Sequence, residues 1–305
     1  MVILGPTAGG KTSVAAHWAY RYDGEIISAD SRQVYRGMTI GTGKDYADYV
    51  VEGRKIPCHC MDIANAGEQY NVYEYQKDFL TAYNDILHRG KIPVLCGGSG
   101  MYIEAAINGY KLIQVPINEA LRQKLGTKTD KELEALLASL KTLHNRSDTD
   151  TRKRMIRAIE IAVYQIENLQ KESDYPDITP LLIGIKFDRE SRRQRITQRL
   201  RQRLDEGMIE EAQGLLEKGL TSEQLEYYGL EYKFLAKYLS NELTYTEMFE
   251  QLNIAIHQFA KRQMTWFRRM ERNGAKIWWL DGYMPMEEKL HEIDLIINKK
   301  IEKLC

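Results

Sequence analysis

The sequence predicts an α/β fold in which helices flank a mostly parallel β-sheet and a helical insertion domain interrupts the chain. An apolar run at residues 2–4 leads directly into a glycine-rich loop and a helix. Further apolar strand segments alternate with amphipathic helical segments, which indicates a parallel sheet covered on both faces. Residues 113–179 contain helical patterns and no strand of comparable strength. We therefore predict a core domain formed by residues 1–112 and 180–305, with residues 113–179 as the insertion.

The loop at residues 5–12 matches the phosphate-binding pattern G-x-x-x-x-G-K-[ST]. Glycines let backbone amides turn toward an anion, and the following helix adds the positive end of its dipole. Lys11 is expected to neutralise phosphate oxygens, and the Thr12 hydroxyl is expected to hold Mg²⁺. The motif predicts a P-loop NTPase-like core that binds a diphosphate or a triphosphate, and it leaves the chemistry open. Its residues are Gly5, Pro6, Thr7, Ala8, Gly9, Gly10, Lys11 and Thr12.

Strand and helix signals continue along the rest of the chain. Residues 11–22 place apolar side chains on one helical face, and Asn71 followed by Glu74 resembles a capping box that starts another helix. In the insertion, leucines at helical spacing occupy residues 130–143, and a second apolar helical face covers residues 151–165. The predicted strands after the loop are 25–28, 92–96, 181–185 and 276–280.

Asp30 directly follows a predicted strand. In parallel sheets, ligands bind beyond the carboxyl ends of the strands. The phosphate loop, Asp30 and Ser99 all follow strand ends, so we expect the three to share one cleft. There Asp30 can act as a general base or hold Mg²⁺ through water, and capping of a turn is the structural alternative.

The charge of the chain is balanced overall but clustered locally. Its 43 Lys and Arg offset 43 Asp and Glu among 305 residues, so a polyanion site must come from local clustering. Three basic segments with interleaved aromatic side chains favour RNA, although each alone is also consistent with a solvated helix face. They are Arg152, Lys153, Arg154 and Arg157; Lys186, Arg189, Arg192, Arg193, Arg195, Arg199, Arg201 and Arg203; and Lys261, Arg262, Arg268, Arg269 and Arg272.

The cysteines indicate a reducing compartment. Cys58, Cys60, Cys96 and Cys305 show no disulfide-framework spacing, and no charged-then-apolar leader opens the sequence, so we expect the cytoplasm. The triplet Cys58-His59-Cys60 lacks a second ligand pair for a metal, and chance proximity on a loop or strand is the favoured interpretation. The apolar stretches are also shorter than the roughly 20 residues of a membrane helix.

Six motifs, in order, resemble those of the bacterial tRNA dimethylallyltransferases, also called tRNA isopentenyltransferases. Together they span nearly the whole chain, and their order makes the resemblance far more specific than the phosphate loop alone. The motifs are GPTAGGKT at 5–12, SADSRQVY at 28–35, GGSGMY at 97–102, KRMIRAIE at 153–160, YGLEY at 228–232 and AKRQMTWFR at 260–268.

The resemblance implies transfer of a dimethylallyl group from dimethylallyl diphosphate to the exocyclic amine of an adenosine. The target lies just 3′ of the anticodon in tRNAs that read codons beginning with U. The phosphate loop would hold the diphosphate, with Mg²⁺ as cofactor at Thr12, and Asp30 would accept a proton from the adenine amine. Ser99 would line the passage in which donor and base meet. Arg199, or else Arg195, would stabilise the departing diphosphate.

The resemblance also implies that tRNA binds through its anticodon stem-loop. The target adenosine must leave the base stack to reach the donor. The insertion domain would grip the anticodon stem, and we expect a monomer with no membrane contact. The residues expected to contact tRNA are Asp30, Ser31, Arg32 and Gln33, then Lys153, Arg154, Met155, Ile156 and Arg157 on the insertion, and Lys261 and Arg262.

Three places depart from the family pattern. Gly9 replaces the usual serine of the phosphate loop and keeps only the backbone amide. Ser99 replaces the usual threonine and keeps the hydroxyl while losing a methyl group. Leu230 and Glu231 replace the usual tyrosine and basic residue, so we assign no tRNA contact to them.

Two other classes of function stay open at this point. One is a small-molecule enzyme on the same core, either an adenylate isopentenyltransferase or a nucleotide kinase, which would not need the basic helix at residues 152–157. The other is a non-catalytic, nucleotide-dependent RNA-binding protein, which would not need Asp30.

Overall fold

The computed structural model describes residues 1–110, 112–140, 148–168 and 175–302. They belong to two compact units, one formed by Met1–Tyr110 with Asp177–Cys305 and the other by Lys111–Pro176. The described part of the first unit holds every strand, whereas the described part of the second is built from helices alone.

A sheet of six parallel strands forms the centre of the first unit. The strands of the chain are β1 (Val2–Leu4), β2 (Gly24–Ala29), β3 (Val50–Val51), β4 (Arg54–Lys55), β5 (Cys58–His59), β6 (Ile92–Gly97), β7 (Leu182–Lys186) and β8 (Ile277–Asp281). The spatial order of the large sheet is β5–β2–β6–β1–β7–β8, while β3 and β4 form a separate antiparallel pair. The predicted α/β fold with a mostly parallel sheet is therefore confirmed.

Twelve α-helices accompany the strands in the described residues, and α4 to α6 belong to the second unit. They are α1 (Lys11–Arg21), α2 (Val72–His88), α3 (Gly100–Asn108), α4 (Glu119–Gly126), α5 (Asp130–Leu140), α6 (Arg152–Glu167), α7 (Arg189–Asp205), α8 (Met208–Glu217), α9 (Ser222–Tyr227), α10 (Leu230–Leu239), α11 (Tyr245–Arg272) and α12 (Met286–Ile301). The predicted capping box is present at α2, where Asn71 and Glu74 exchange hydrogen bonds. Within the described ranges, none of these helices has the length and apolarity needed to span a membrane.

Helices cover the faces of the sheet and confine a ligand to its edge. Ile26, Val94 and Ile183 pack on one face with residues of α1 and α12, among them Trp18 and Ile293. Side chains at alternate strand positions point to the opposite face, and α2 also contacts β2 and β6. The carboxyl-terminal edge of the strands is therefore the place where a ligand can reach the sheet.

A second core holds the segment that follows β2. Tyr35 and Met38 are buried among residues of α7 to α11. The carboxylate of Glu211, on α8, accepts hydrogen bonds from the backbone N–H groups of residues 39–41 at 2.8 to 2.9 Å, and from the Tyr232 hydroxyl at 2.6 Å. One half-buried carboxylate thus fixes the chain downstream of Asp30.

The cysteine-rich triplet contributes β5, the edge strand that the sequence patterns did not predict. Its His59 Nε2 lies 2.7 Å from the Glu25 carboxylate, which also pairs with the Arg89 guanidinium. Hydrogen bonds from Arg89, and then from His59, hold the pKa of Glu25 at about 2 although burial opposes this. The histidine of the triplet therefore has an acidic partner inside the fold.

The second unit has its own small core. Leu133, Met155 and Ile159 pack together, and the predicted helices at 130–143 and 151–165 correspond to α5 and α6. Residues 141–143 of the first of these predictions lie outside the described residues.

Glu160 holds the start of this unit against α6. Its buried carboxylate accepts hydrogen bonds from Asn118 N at 2.6 Å and from the Arg122 guanidinium at 3.1 and 3.0 Å, and it pairs with Arg157. Burial alone would raise the pKa of Glu160, but these hydrogen bonds outweigh it and lower the pKa.

Candidate functional site

The ends of three neighbouring strands bring the predicted site residues together. β2, β6 and β1 lie side by side, and their last residues are in register, Ala29 beside Gly97 and Gly97 beside Leu4. The chain leaves the three strands at the same level, into Asp30, into the turn that carries Ser99 and into the phosphate loop. Strand register therefore brings these three segments to the same edge of the sheet.

Glycine is required at two positions of the phosphate loop. Gly5 has φ 152°, and a Cβ there would lie 2.5 Å from the carbonyl oxygen of Ile185 in β7. Gly10 has φ 70° and immediately precedes α1. At Gly9, where the family pattern has serine, a Cβ would lie 3.0 Å from the Pro6 oxygen, so the observed backbone suits the smaller residue.

The loop faces a cavity of about 450 Å³ that combines basic and acidic side chains. Lys11 is poised at the start of α1, with its Nζ donating to the Pro6 carbonyl at 2.8 Å. Burial, together with the smaller effect of the nearby Arg199 charge, lowers the pKa of Lys11 to about 8. The cavity is lined by Ala8, Gly9, Gly10, Lys11, Thr12, Ser13, Asp45, Asp48, Arg195, Gln198, Arg199 and Gln202.

Both arginines considered for the diphosphate line this cavity from α7. Arg195 Nε donates to the carbonyl of Ala8 at 3.1 Å, and its guanidinium lies 4.3 Å from the centre of the Phe187 ring. Arg199 is paired instead with the exposed side chain of Asp45. Arg195 therefore supports the backbone of the loop. Arg199 is held by its ion pair with Asp45, so an anionic ligand in the cavity can replace Asp45 as its partner.

Asp30 begins a tight turn at the end of β2. Its Oδ1 accepts a hydrogen bond from Arg32 N at 2.9 Å, so one carboxylate oxygen caps the turn, as in the structural alternative. Ser99 Oγ accepts a hydrogen bond from Ser31 N at 3.1 Å, and Ser99 N donates to the Ala29 carbonyl at 3.2 Å. The Ser99 hydroxyl thus anchors the turn that carries Asp30.

The next two residues of this turn point to different partners. The Arg32 guanidinium lies 5.5 Å from the centre of the Tyr227 ring. Gln33 accepts a hydrogen bond from Ser28 Oγ at 3.1 Å and donates to the Gly43 carbonyl at 3.0 Å. Arg32 therefore stays partly accessible beside an exposed aromatic ring, and Gln33 ties the turn to the segment held by α8.

The donor set in the cavity fits magnesium. The Thr12 hydroxyl shares the cavity with Asp45 and Asp48, and hard oxygen ligands with substrate phosphates are what Mg²⁺ prefers. Burial, and then the neighbouring Asp45, raise the pKa of Asp48. Among the described residues, no group of three or more His, Cys, Asp and Glu side chains could hold a metal ion, so phosphate oxygens would have to complete its coordination.

The residues predicted to grip the tRNA stem differ in their exposure. Lys153 and Arg154 are exposed on α6, whereas Ile156 and Arg157 are partly buried. Met155 lies in the core of the second unit, so its side chain packs there instead of facing a partner.

Helix α11 carries both predicted and unpredicted residues. Lys261 and Arg262 are exposed, as a tRNA contact requires. The adjacent Gln263 belongs to the motif at residues 260–268, which assigns it no role; it is buried and joins two parts of the site. Its Oε1 accepts from Thr7 N at 2.8 Å, and its Nε2 donates to the Gly98 carbonyl at 3.0 Å.

Sequence comparisons give a consistent set of relatives. A family model described as IPP transferase matches residues 33–270. The tRNA dimethylallyltransferase 1 of Parabacteroides distasonis is 56% identical over 301 residues, which cover 99% of this chain and 98% of that protein. The tRNA dimethylallyltransferase 2 of Bacteroides fragilis is 56% identical over 291 residues, or 95% of each chain.

Solved structures lead to the same group. The tRNA isopentenylpyrophosphate transferase of Bacillus halodurans superposes with a TM-score of 0.71 at 32% identity, covering 99% of this chain and 96% of that one. A eukaryotic dimethylallyltransferase acting on tRNA gives a TM-score of 0.74 at 25% identity, covering 92% of this chain and 73% of that one. This chain has the P-loop NTPase-like fold of these structures. Together with the sequence matches, this fold shows that the chain belongs to the IPP transferase family.

Proposed function

We propose that this protein transfers a dimethylallyl group from dimethylallyl diphosphate to the exocyclic amine of an adenosine in tRNA. The acceptor is the adenosine 3′-adjacent to the anticodon in tRNAs that read codons beginning with U. The observation that carries the proposal is the register of β2, β6 and β1, which sets a carboxylate, Asp30, beside an anion-binding loop. The names of the relatives support this acceptor over free nucleotides.

Bond formation in this reaction needs a base beside the acceptor. The lone pair of the adenine amine is delocalised into the ring, so the amine is a poor nucleophile until its proton is accepted. As the new N–C bond forms at the allylic carbon, the C–O bond to the diphosphate breaks and the amine proton passes to the Asp30 carboxylate. Ser99 holds the turn of Asp30 through Ser31 and thereby orients this base.

Departure of the diphosphate needs positive charge where negative charge develops. The amides of the phosphate loop, the Lys11 ammonium and the Arg199 guanidinium line the same cavity and supply it. Mg²⁺ held at the Thr12 hydroxyl would add a Lewis acid for the leaving oxygens. Arg199 releases Asp45 when it contacts the diphosphate.

Binding of tRNA brings the target base to this cleft. A single-stranded anticodon loop lets one nucleobase flip out at modest cost, and we expect residues 30–33 to contact the nucleobase that enters the cleft. Lys153 and Arg154 on α6 and Lys261 with Arg262 on α11 supply exposed positive charge for phosphates. We propose that the active form is a single chain and that it works in the cytoplasm.

Labelled dimethylallyl diphosphate tests the proposal directly. The protein is incubated with Mg²⁺ and, separately, with unmodified tRNA, AMP or ATP, and a tRNA with guanosine in place of the target adenosine is the control. We expect label in the adenosine-bearing tRNA alone. Equal labelling of AMP would support a small-molecule enzyme, and tRNA binding without labelling of any acceptor would support a non-catalytic RNA-binding protein.

A further inference from the structure

Gln263 links the two loops that hold the reacting groups. It lies on α11 with a relative exposure of 7%, and both ends of its amide are engaged. Oε1 accepts from Thr7 N in the phosphate loop at 2.8 Å, and Nε2 donates to the carbonyl of Gly98 at 3.0 Å. The side chain therefore spans the gap between the phosphate loop and the turn after β6.

Close packing fixes the position of this amide. A Cβ at Gly98 would overlap the Gln263 side chain, and a Cβ at Gly100 would overlap the Trp266 ring one turn further along α11. Both glycines allow the turn after β6 to approach the helix. Because Gln263 is enclosed in this way, a shift of its amide requires a shift of one of the two loops.

The hydrogen bonds continue from the turn after β6 to the turn that carries Asp30, the proposed general base. Ser99, the neighbour of Gly98, donates its N–H to Ala29 at 3.2 Å and accepts from Ser31 N at 3.1 Å. The same turn carries Asp30. A continuous path of hydrogen bonds and adjacent residues therefore runs from the phosphate loop through Gln263 to the turn of the base.

We propose that Gln263 is a positioning residue that sets the distance between the bound diphosphate and Asp30, an inference that rests on the proposed function. A carboxamide suits this place because it offers an acceptor to an N–H group and a donor to a carbonyl at once. Transfer requires the allylic carbon and the adenine amine to approach within about 3 to 3.5 Å, and a displacement of about 1 Å costs roughly 10²-fold in rate. Gln263 acts on this distance without touching either substrate.

A second buried glutamine provides a matched control. Gln76, on α2, also has a relative exposure of 7% and donates to a backbone carbonyl, that of Ala105, at 2.8 Å. It is not among the residues that line the cavity at the phosphate loop. Gln76→Met and Gln263→Met both replace a buried amide by an apolar side chain of similar length, so both lose stability through the loss of side-chain hydrogen bonds to the backbone.

Turnover separates positioning from stability. Prenyl transfer to tRNA is measured with both substrates saturating, beside the melting temperature of each variant. We expect Gln263→Met to lower kcat by about 10²-fold and Gln76→Met to leave it within about 3-fold of wild type. Equal kcat values for the two variants at equal loss of melting temperature would overturn the inference. Absence of transfer by the wild-type protein would instead contradict the proposed function.

Gln263→Glu adds a readout that a purely structural residue does not give, and it serves also if Gln263→Met fails to fold. Burial raises the pKa of a carboxyl group, and only its protonated form can donate to the Gly98 carbonyl as the amide does. We therefore expect kcat of Gln263→Glu, divided by the wild-type value at the same pH, to rise as the pH falls from about 8.5 to about 6. A ratio that stays flat across this range would contradict a positioning role.

Discussion

Lys11 is the residue of the cleft whose pKa most directly reports the binding of an anion. Burial, and secondarily the Arg199 charge, reduce its pKa to about 8 from the usual 10.5, so its charged form is held at a cost in the absence of an anion. The charged lysine therefore lowers the free energy of unfolding. This destabilisation is fully present below pH 8, where Lys11 is protonated in both the folded and the unfolded state, and it is relieved as the pH rises from 8 toward 10.5. A diphosphate beside Nζ reverses the effect, because it favours the charged ammonium.

Between pH 8 and 10.5, Lys11 of the ligand-free protein is partly neutral. Binding of a diphosphate in this range is therefore accompanied by proton uptake. Calorimetric titration with inorganic diphosphate and Mg²⁺, in buffers of different ionisation enthalpy, measures the number of protons taken up. Lys11→Arg is the matched control, because arginine stays charged throughout and leaves only protons taken up by the ligand itself. Equal uptake by wild type and Lys11→Arg would contradict a partly neutral lysine.

Asp30 combines a structural and a chemical task, which one substitution separates. An asparagine can keep the hydrogen bond that Oδ1 accepts from Arg32 N, yet it cannot accept the amine proton. We expect Asp30→Asn to lower the single-turnover rate constant by about 10² to 10⁴-fold, the usual range for loss of a general base, while tRNA still binds. Single-turnover transfer and filter binding measure the two quantities. Wild-type transfer by this variant would exclude Asp30 as the base.

At the scale of elements, α6 shows why a basic run alone does not define an RNA surface. Arg152 pairs with Asp130 and donates to the carbonyls of residues 125, 126 and 128, while Arg157 is bound to Glu160 and Val115. These two arginines stabilise the second unit from within. Lys153 and Arg154 are the exposed members of the run.

Lys153 is accordingly expected to contact a tRNA phosphate. We predict that Lys153→Ala weakens tRNA binding and reduces the slope of log affinity against log salt by about 1, the value for one phosphate contact. Lys131→Ala, which removes an exposed lysine on α5 of the same unit, is the control and should change neither quantity. An identical salt dependence for Lys153→Ala and wild type would remove Lys153 from the tRNA surface.

Local sequence patterns predicted those elements whose signals are themselves local. The phosphate loop has a fixed motif, the capping box of α2 has a fixed spacing, and β6 and β7 are short runs of apolar residues. β5 was not predicted, because its two residues gain their conformation from pairing with β2 and not from their own apolarity. Edge strands of this length carry too little periodicity to be recognised.

The sequence also did not predict the role of Gln263, for a related physical reason. The residue lies on the buried face of α11 with Ala260, Met264 and Phe267, so the sequence offers a polar side chain at an apolar position inside the motif at residues 260–268. That signal indicates a buried hydrogen-bonding partner and does not identify it. The partners lie 165 and 256 residues away in the chain, in loops that only the folded sheet brings together.

At the scale of the whole molecule, one structural relation determines the proposed chemistry. Six parallel strands place the anion-binding loop, the Ser99 turn and Asp30 at adjacent strand ends, and α7 and α11 enclose them with Arg199 and Gln263. The roles of these residues and of the second unit in binding tRNA stay predictions. All of these predicted roles depend on the identity of the anion that the phosphate loop holds. We propose that this anion is a prenyl diphosphate.

Calorimetry with an unreactive donor analogue tests that identity most directly. The protein is first saturated with an anticodon stem-loop and then titrated with dimethylallyl thiolodiphosphate or with ATP, each with Mg²⁺, and the titrations are repeated with Lys11→Ala. We predict that the analogue binds one molecule per chain, that Lys11→Ala abolishes this binding and that ATP does not bind tightly. Tight binding of ATP at the same site, together with no binding of the prenyl analogue, would show that the loop holds a nucleotide and not a prenyl diphosphate.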